Sequence, residues 1–205
     1  MSTDKIPSDE ECVRMLWNAG CTKRVVVHCA TVRAVAVVIA AGIGGADTRL
    51  VSAGALLHDI GRSQTHSVMH APLGAQIVEA NGCPKSLVEI VRKHTGAGLD
   101  AEDVRELGLP PGDYMPSTLE EKVVAHADNL VSNDTVVPHQ RSVDKLVSKG
   151  AQRGADRIEA LHRELSGLYG EDLDCMPGLL GAHPKLIPLR KHRRRGISCG
   201  TRKSW

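Results

Sequence analysis

Residues 47–61 constrain the fold more than any other stretch. After Asp47, the apolar positions Leu50, Val51, Ala53, Gly54, Leu57 and Ile60 recur at helical spacing, which predicts a helix with a buried face. The run ends on His58-Asp59-Ile60-Gly61-Arg62. A glycine there can take the left-handed conformation that stops a helix. Two metal-binding side chains therefore occupy the last turn of an apolar helix. Burying an imidazole and a carboxylate is costly unless each finds a partner, and a metal ion is such a partner.

Helix punctuation continues on both sides. Ser8 and Glu11 form a capping box for a short helix that ends near Gly20. Thr22 opens a longer helix to about Ala41, with His28 inside it and a glycine-rich break after it. Pro72 suits the first turn of a helix to Asn81, and Pro84 starts another from Lys85 to His94. Asp100 caps a short helix to Leu107. Ser117-Thr118-Leu119-Glu120-Glu121 offers a second capping box in either of two registers, before a helix with His126 and Asp128 that ends near Asn133. A long polar helix runs from Arg141 or Ser142 to Tyr169, broken at Gly150 or Gly154. Residues 109–116, with three prolines, form a surface loop able to close over a substrate. The one β-branched run, Val25-Val26-Val27, lies inside a helix-length segment. The expected fold is all-α, a helical bundle over residues 1–170 followed by an irregular basic tail over 171–205.

Charge supports that division. From His183 to Trp205 there are eight Lys/Arg and no acid, whereas the preceding residues carry 18 bases and 24 acids. The tail is either a solvated arm or a contact for phosphate, RNA or a partner. With no Phe, two Trp and two Tyr, the chain lacks the stacking platform of a single-strand binder. No apolar run reaches membrane-spanning length, since Val25 to Ile43 is interrupted by His28, Thr31 and Arg33. Six scattered cysteines without a CxxC pair, and no signal-peptide pattern, predict reduced thiols in a cytoplasmic protein and no sulfur zinc site.

Five polar residues stand out in apolar helices: His28, His58, Asp59, His94 and Asp128. All but the adjacent pair lie on different helices, which is how bundles assemble metal sites from facing side chains. Imidazole nitrogen with carboxylate oxygen suits Fe, Mn, Co, Ni or Zn better than calcium.

In this order on successive helices, His28, His58-Asp59-Ile60-Gly61 and Ala127-Asp128 resemble the HD superfamily of metal-dependent phosphohydrolases in its HDIG form, over roughly residues 20–135. The resemblance implies that His28, His58, Asp59 and Asp128 bind metal. For two-metal members it implies two further ligands, His70 and His94. His58-Asp59-Ile60-Gly61-Arg62, Thr65-His66, His94-Thr95-Gly96-Ala97-Gly98 and Glu120 to Leu130 are similar to a small archaeal HDIG group that includes a dihydroneopterin 2′,3′-cyclic phosphate phosphodiesterase. One departure is Arg62, where many HDIG proteins have lysine; a guanidinium can still grip phosphate.

The implied function is hydrolysis of a small phosphorylated substrate, a cyclic phosphate or a nucleotide, by water activated on one or two divalent transition metals, with Fe or Mn favoured. Asp59 would bridge the metals, Arg62 would neutralise phosphoryl charge, and His66 or a metal-bound water would protonate the leaving oxygen. The competing readings are a (deoxy)nucleoside 5′-monophosphate phosphohydrolase and a non-catalytic RNA-associated helical module. His126 is assigned to a surface or supporting role, and His139, His162, His183 and His192 to the surface. The assembly is open between a single chain and a homo-oligomer.

Overall fold

The computed structural model describes residues 5–190. Its order is α1 (Asp9–Ala19), α2 (Lys23–Ile43), α3 (Thr48–Leu57), a 3-10 turn (Ile60–Ser63), α4 (His70–Ala80), α5 (Lys85–Lys93), α6 (Ala101–Glu106), α7 (Leu119–Asn129), β1 (Val131–Ser132), β2 (Thr135–Val136), α8 (Gln140–Val147), α9 (Gln152–Tyr169), a second 3-10 turn (Leu173–Cys175) and α10 (Met176–Leu180). The fold is an all-α bundle with one small antiparallel hairpin, Val131 opposite Val136.

The caps explain where helices start. Ser8 accepts from Glu11 N while the Glu11 carboxylate accepts from Ser8 N. The second capping box takes the register Thr118–Glu121. Asp47 accepts from the amides of Arg49 and Leu50, and Asp100 from those of Glu102 and Asp103. Each such cap contributes about 1 kcal/mol.

Helix α3 lies between two apolar clusters. Val51 and Ala55 join Val35, Ile39, Val123, Leu130 and Ile158. Ala53, Leu56 and Leu57 join Leu16, Val26, Ile60, Val78 and Leu87. Every residue from Val51 to Leu57 is buried, so the turn that follows, His58-Asp59, emerges from the middle of the protein. Helix α2 contradicts the expectation that no apolar run is long enough to span a membrane: it has 21 residues, and an 18-residue window of it reaches a mean hydropathy of 2.0. Half of that window is buried within the bundle, against α3, α7 and α9, as a central core helix requires.

Several boundaries differ from expectation. Helix α7 stops at Asn129 instead of near Asn133, because the hairpin takes over, with Asn133 at φ 60° in its turn. Of the two breaks expected in the long polar helix, the one at Gly150 (φ 75°) is realised and divides it into two helices, while α9 runs unbroken through Gly154. The chain after Gly170 is not simply a tail, since Leu173 and Met176 are fully buried in the α2 cluster. The remaining part of the basic tail, 191–205, with His192, lies outside the described residues.

Gly61 does not stop α3 by a left-handed conformation; it belongs to the 3-10 turn. Its lack of a side chain matters for another reason. A Cβ there would overlap the His70 carbonyl oxygen and come within 2.7 Å of Gly74 N. The glycine lets the start of α4 lie directly against the His58-Asp59 turn.

Candidate metal centre

Six side chains meet where these elements converge. His28 comes from α2, His58 from the residue that closes α3, and Asp59 from the next position. His70 is the first residue of α4, His94 closes α5, and Asp128 is in the last turn of α7. The six predicted ligands are brought together.

Their imidazoles share one arrangement. The Nδ1 atoms of His58, His70 and His94 each lie against the carbonyl three residues earlier, Ala55 O at 2.8 Å, Ser67 O at 2.7 Å and Val91 O at 2.7 Å. This is possible because all three sit at helix ends. His28 is inside α2, and its Nδ1 instead reaches Asn133 O of the hairpin turn at 2.7 Å. A carbonyl can only accept, so each Nδ1 carries the proton and each Nε2 points inward.

The inward face is rich in acceptors. His28 Nε2 is 3.0 Å from Asp128 Oδ1, and His58 Nε2 is 3.5 Å from the same oxygen. His70 and His94 Nε2 lie 3.2 and 3.6 Å from Asp59 Oδ1. His70 and His94 Nε2 are 3.0 Å from each other. His58 Nε2 and Asp59 Oδ1 are buried without a hydrogen-bond partner. Lone pairs and carboxylate oxygens crowded this way require cations. The residues present fit a divalent metal. Asp59 divides them: Oδ1 faces His70 and His94, whereas Oδ2 faces His28 and His58 and accepts from Arg62 Nε at 2.5 Å. A carboxylate so placed could bridge two ions, one near His28, His58 and Asp128 and one near His70 and His94.

The electrostatics agree. Burial pulls the His28 pKa down, but Asp128 and Asp59 outweigh it and raise it to about 9. Burial holds His94 at about 4, aided by His58 and His70 and opposed by Asp59. Burial would raise Asp59 and Asp128, yet the surrounding imidazoles hold both well below the usual carboxylate range.

Five of these groups, His28, Asp59, His70, His94 and Asp128, form the floor of a cavity of about 730 Å³, with His58 buried behind them. Arg62 and His66, the predicted substrate residues, lie in its wall. So do Arg24, Asn133, Arg141, Lys145 and Lys149, which sequence reasoning missed. Only the positive spacing of 141, 145 and 149 could have marked the last three. The loop 109–116 does not line the cavity, contrary to the lid expectation. Tyr114 is instead buried with Val104 and Leu109, and its hydroxyl donates to Pro110 O at 3.1 Å.

His139 and His162 are not surface residues. They stack at 3.6 Å, beside a fully buried His126 whose Nε2 is 3.1 Å from His162 Nδ1. Asp174 and Glu159 hold His139, and Asp172 holds His162. Carboxylates brought by tertiary packing make that burial tolerable. His126 is thus tied to this second cluster, away from the floor of the cavity.

Residues 25–133 match the family model for the HD domain. The chain belongs to the HD domain family. A relative from Methanocaldococcus jannaschii, described only as an uncharacterized protein, is 40% identical, and the match covers 78% of this chain and 97% of the relative. A Picrophilus torridus protein named tRNA (cytidine(56)-2′-O)-methyltransferase is 45% identical over 82% of this chain but 49% of its own length. This HD domain protein therefore spans about half of that relative. The HD domain of the Listeria monocytogenes phosphodiesterase PgpH, solved in complex with cyclic-di-AMP, superposes with TM-score 0.51 at 18% identity, covering 78% of this chain and 97% of that one. That likeness is one of fold.

Proposed function

We propose that this HD domain protein is a metal-dependent phosphodiesterase that hydrolyses a 2′,3′-cyclic phosphate, with Fe or Mn as the favoured metal. One observation carries the reading: four imidazole Nε2 atoms and two carboxylates converge, five of the six lining the floor of a cavity whose wall presents cations. A bound metal supplies Lewis acidity and an activated water. Asp59 orients Arg62 through Nε, leaving the guanidinium's other nitrogens to meet the phosphoryl oxygens as charge builds on them. The water gives up a proton to solvent and its oxygen bonds to phosphorus, one ring P–O bond breaks, and His66 gives its own proton to the leaving oxygen. The product is a monophosphate. Small ribose-type cyclic phosphates, a dihydroneopterin cyclic phosphate among them, fit this chemistry. The unpaired cysteines Cys12, Cys21, Cys29, Cys83 and Cys175 favour a reducing, cytoplasmic setting.

The test offers metal-loaded protein 2′,3′-cyclic phosphates, 5′-monophosphates and bis(p-nitrophenyl) phosphate. Turnover of the cyclic and diester substrates supports the reading. Turnover of monophosphates alone would replace it with a nucleotidase. The name of the Picrophilus relative favours one second reading, a non-catalytic RNA-associated module, which predicts no turnover with any divalent metal.

A further inference from the structure

We propose that the cation-bearing wall of the metal cavity is a subsite for a nucleic-acid strand, so that the cyclic phosphate it hydrolyses best is the end of a single-stranded oligonucleotide. The inference deepens the phosphodiesterase reading and rests on it for the chemistry, though not for the binding.

The wall has a one-sided charge. Five Arg/Lys line the cavity: Arg24, Arg62, Arg141, Lys145 and Lys149. The only acids that do so are Asp59 and Asp128, which belong to the metal floor. Arg141, Lys145 and Lys149 are exposed, and among the described residues none forms an ion pair. Several other cations are held by acids, Arg153 and Arg157 by Asp100, Asp103 and their neighbours and Lys93 by Asp113 and Glu121; what sets Arg141, Lys145 and Lys149 apart is that they gather on one cavity. The acid on α8, Asp144, accepts from Gln140 and is not part of the lining.

Spacing turns these charges into a line. Helix α8 buries Val143 and packs Leu146 on the core. Arg141 and Lys145 then share one face, about 6 Å apart along the axis, and Lys149 follows in the turn just beyond the helix. A single phosphate at the floor, already facing the metal donors and Arg62, leaves that row without a counterpart. A pyrophosphate is too compact to follow it. Consecutive phosphodiesters of a strand leading away from the floor meet it one after another. Among the described residues no Phe, Tyr or Trp lines the cavity, so binding is through phosphate and not through stacked bases.

The test compares two substrates with the same reacting group: a mononucleoside 2′,3′-cyclic phosphate and a short single-stranded RNA ending in a 2′,3′-cyclic phosphate. Metal-loaded wild type is expected to favour the RNA in kcat/KM by about a hundredfold, through KM. In the triple variant Arg141→Ala, Lys145→Ala, Lys149→Ala that ratio collapses. The slope of log KM against log salt for the RNA also becomes shallower by about 2, as the loss of three phosphate contacts requires. Equal preference in wild type, or a ratio that the triple variant preserves, overturns the proposal. Fluorescence anisotropy with the labelled RNA and a matching DNA separates the two layers. If neither substrate turns over, the phosphodiesterase reading fails, while strand binding lost in the triple variant still supports the subsite and binding unaffected by it refutes the subsite. Circular dichroism checks that the exposed substitutions leave the helices formed.

Discussion

His70 and His94 face each other nitrogen to nitrogen, their Nε2 atoms 3.0 Å apart, while each directs its Nδ1 to a backbone carbonyl. Two lone pairs at that distance repel unless a proton or a metal lies between them. Burial and the neighbouring imidazoles hold His94 at about 4, so near neutral pH it does not supply the proton. The pair is therefore expected to hold one ion of a two-ion centre. Elemental analysis of His94→Ala should show the loss of about one metal per chain, and Asp59→Ala the loss of both. Asp59→Ala that keeps full metal and activity would end the proposal. Chelation should lower the melting temperature of wild type, reversibly, because the ligands repel when the metal is gone.

Metal binding should release a proton near neutral pH. Without metal, His28 titrates at about 9, because Asp128 and Asp59 outweigh its burial. Below that pH its Nε2 carries a proton that a metal must displace. Affinity is thus expected to rise with pH up to about 9 and to fall on acidification. Calorimetry in buffers of different ionisation enthalpy should find about one proton released per metal at the His28 side, and no release would refute it.

Arg62 joins the metal floor to the cavity wall. Arg62→Ala should cost about a hundredfold in kcat with metal content retained. Arg62→Lys keeps the charge but loses the fixed Nε bond to Asp59 Oδ2, and should recover only part of that loss. Equal activity of all three proteins would exclude a role in charge stabilisation.

Gly61→Ala tests the close approach of α4. The new methyl would strike backbone atoms of His70 and Gly74, which cannot swing aside as a side chain can. A loss of about 3 kcal/mol is expected in denaturant unfolding, together with weaker metal binding as His70 is displaced. Gly54→Ala is the comparison: its methyl would meet the Ile90 side chain, 2.6 Å from Cγ2, and no backbone, so it should cost less while still straining the core.

Acid should weaken the second histidine cluster. Burial, then His162 and His139, depress His126 from 6.5 to about 3. Between those values the unfolded chain binds a proton that the folded chain refuses. Stability is therefore lost as pH falls from about 6.5 towards 3. Replacing His126 by Gln should flatten that limb of the curve measured on metal-free protein.

Much of the site was legible because its residues break a pattern. His28, His58, Asp59, His94 and Asp128 interrupt apolar helical runs, and a polar group in such a run needs a partner wherever the helix packs. His139 and His162 carry no such mark. They lie in polar segments, and their burial depends on Asp172, Asp174 and Glu159 arriving from elsewhere in the fold. The split at Gly150 and the hairpin at Asn133 were similarly obscure, since two glycines competed as breaks and a two-residue strand has no periodicity to detect.

From the sequence alone came the helical bundle, the starts of its capped helices and the identity of the polar groups in its core. Those follow from local rules: capping side chains, glycine and proline stops, and the spacing of apolar residues. Tertiary structure decided how those groups face one another. It pressed the start of α4 against Gly61, turned every Nε2 inward by engaging Nδ1, and brought Arg141 and Lys145 of α8 to the lining of the same cavity. These relationships join residues up to a hundred or more positions apart, such as His28 with Asp128 and Asn133, and no local pattern along the chain encodes a distance between them.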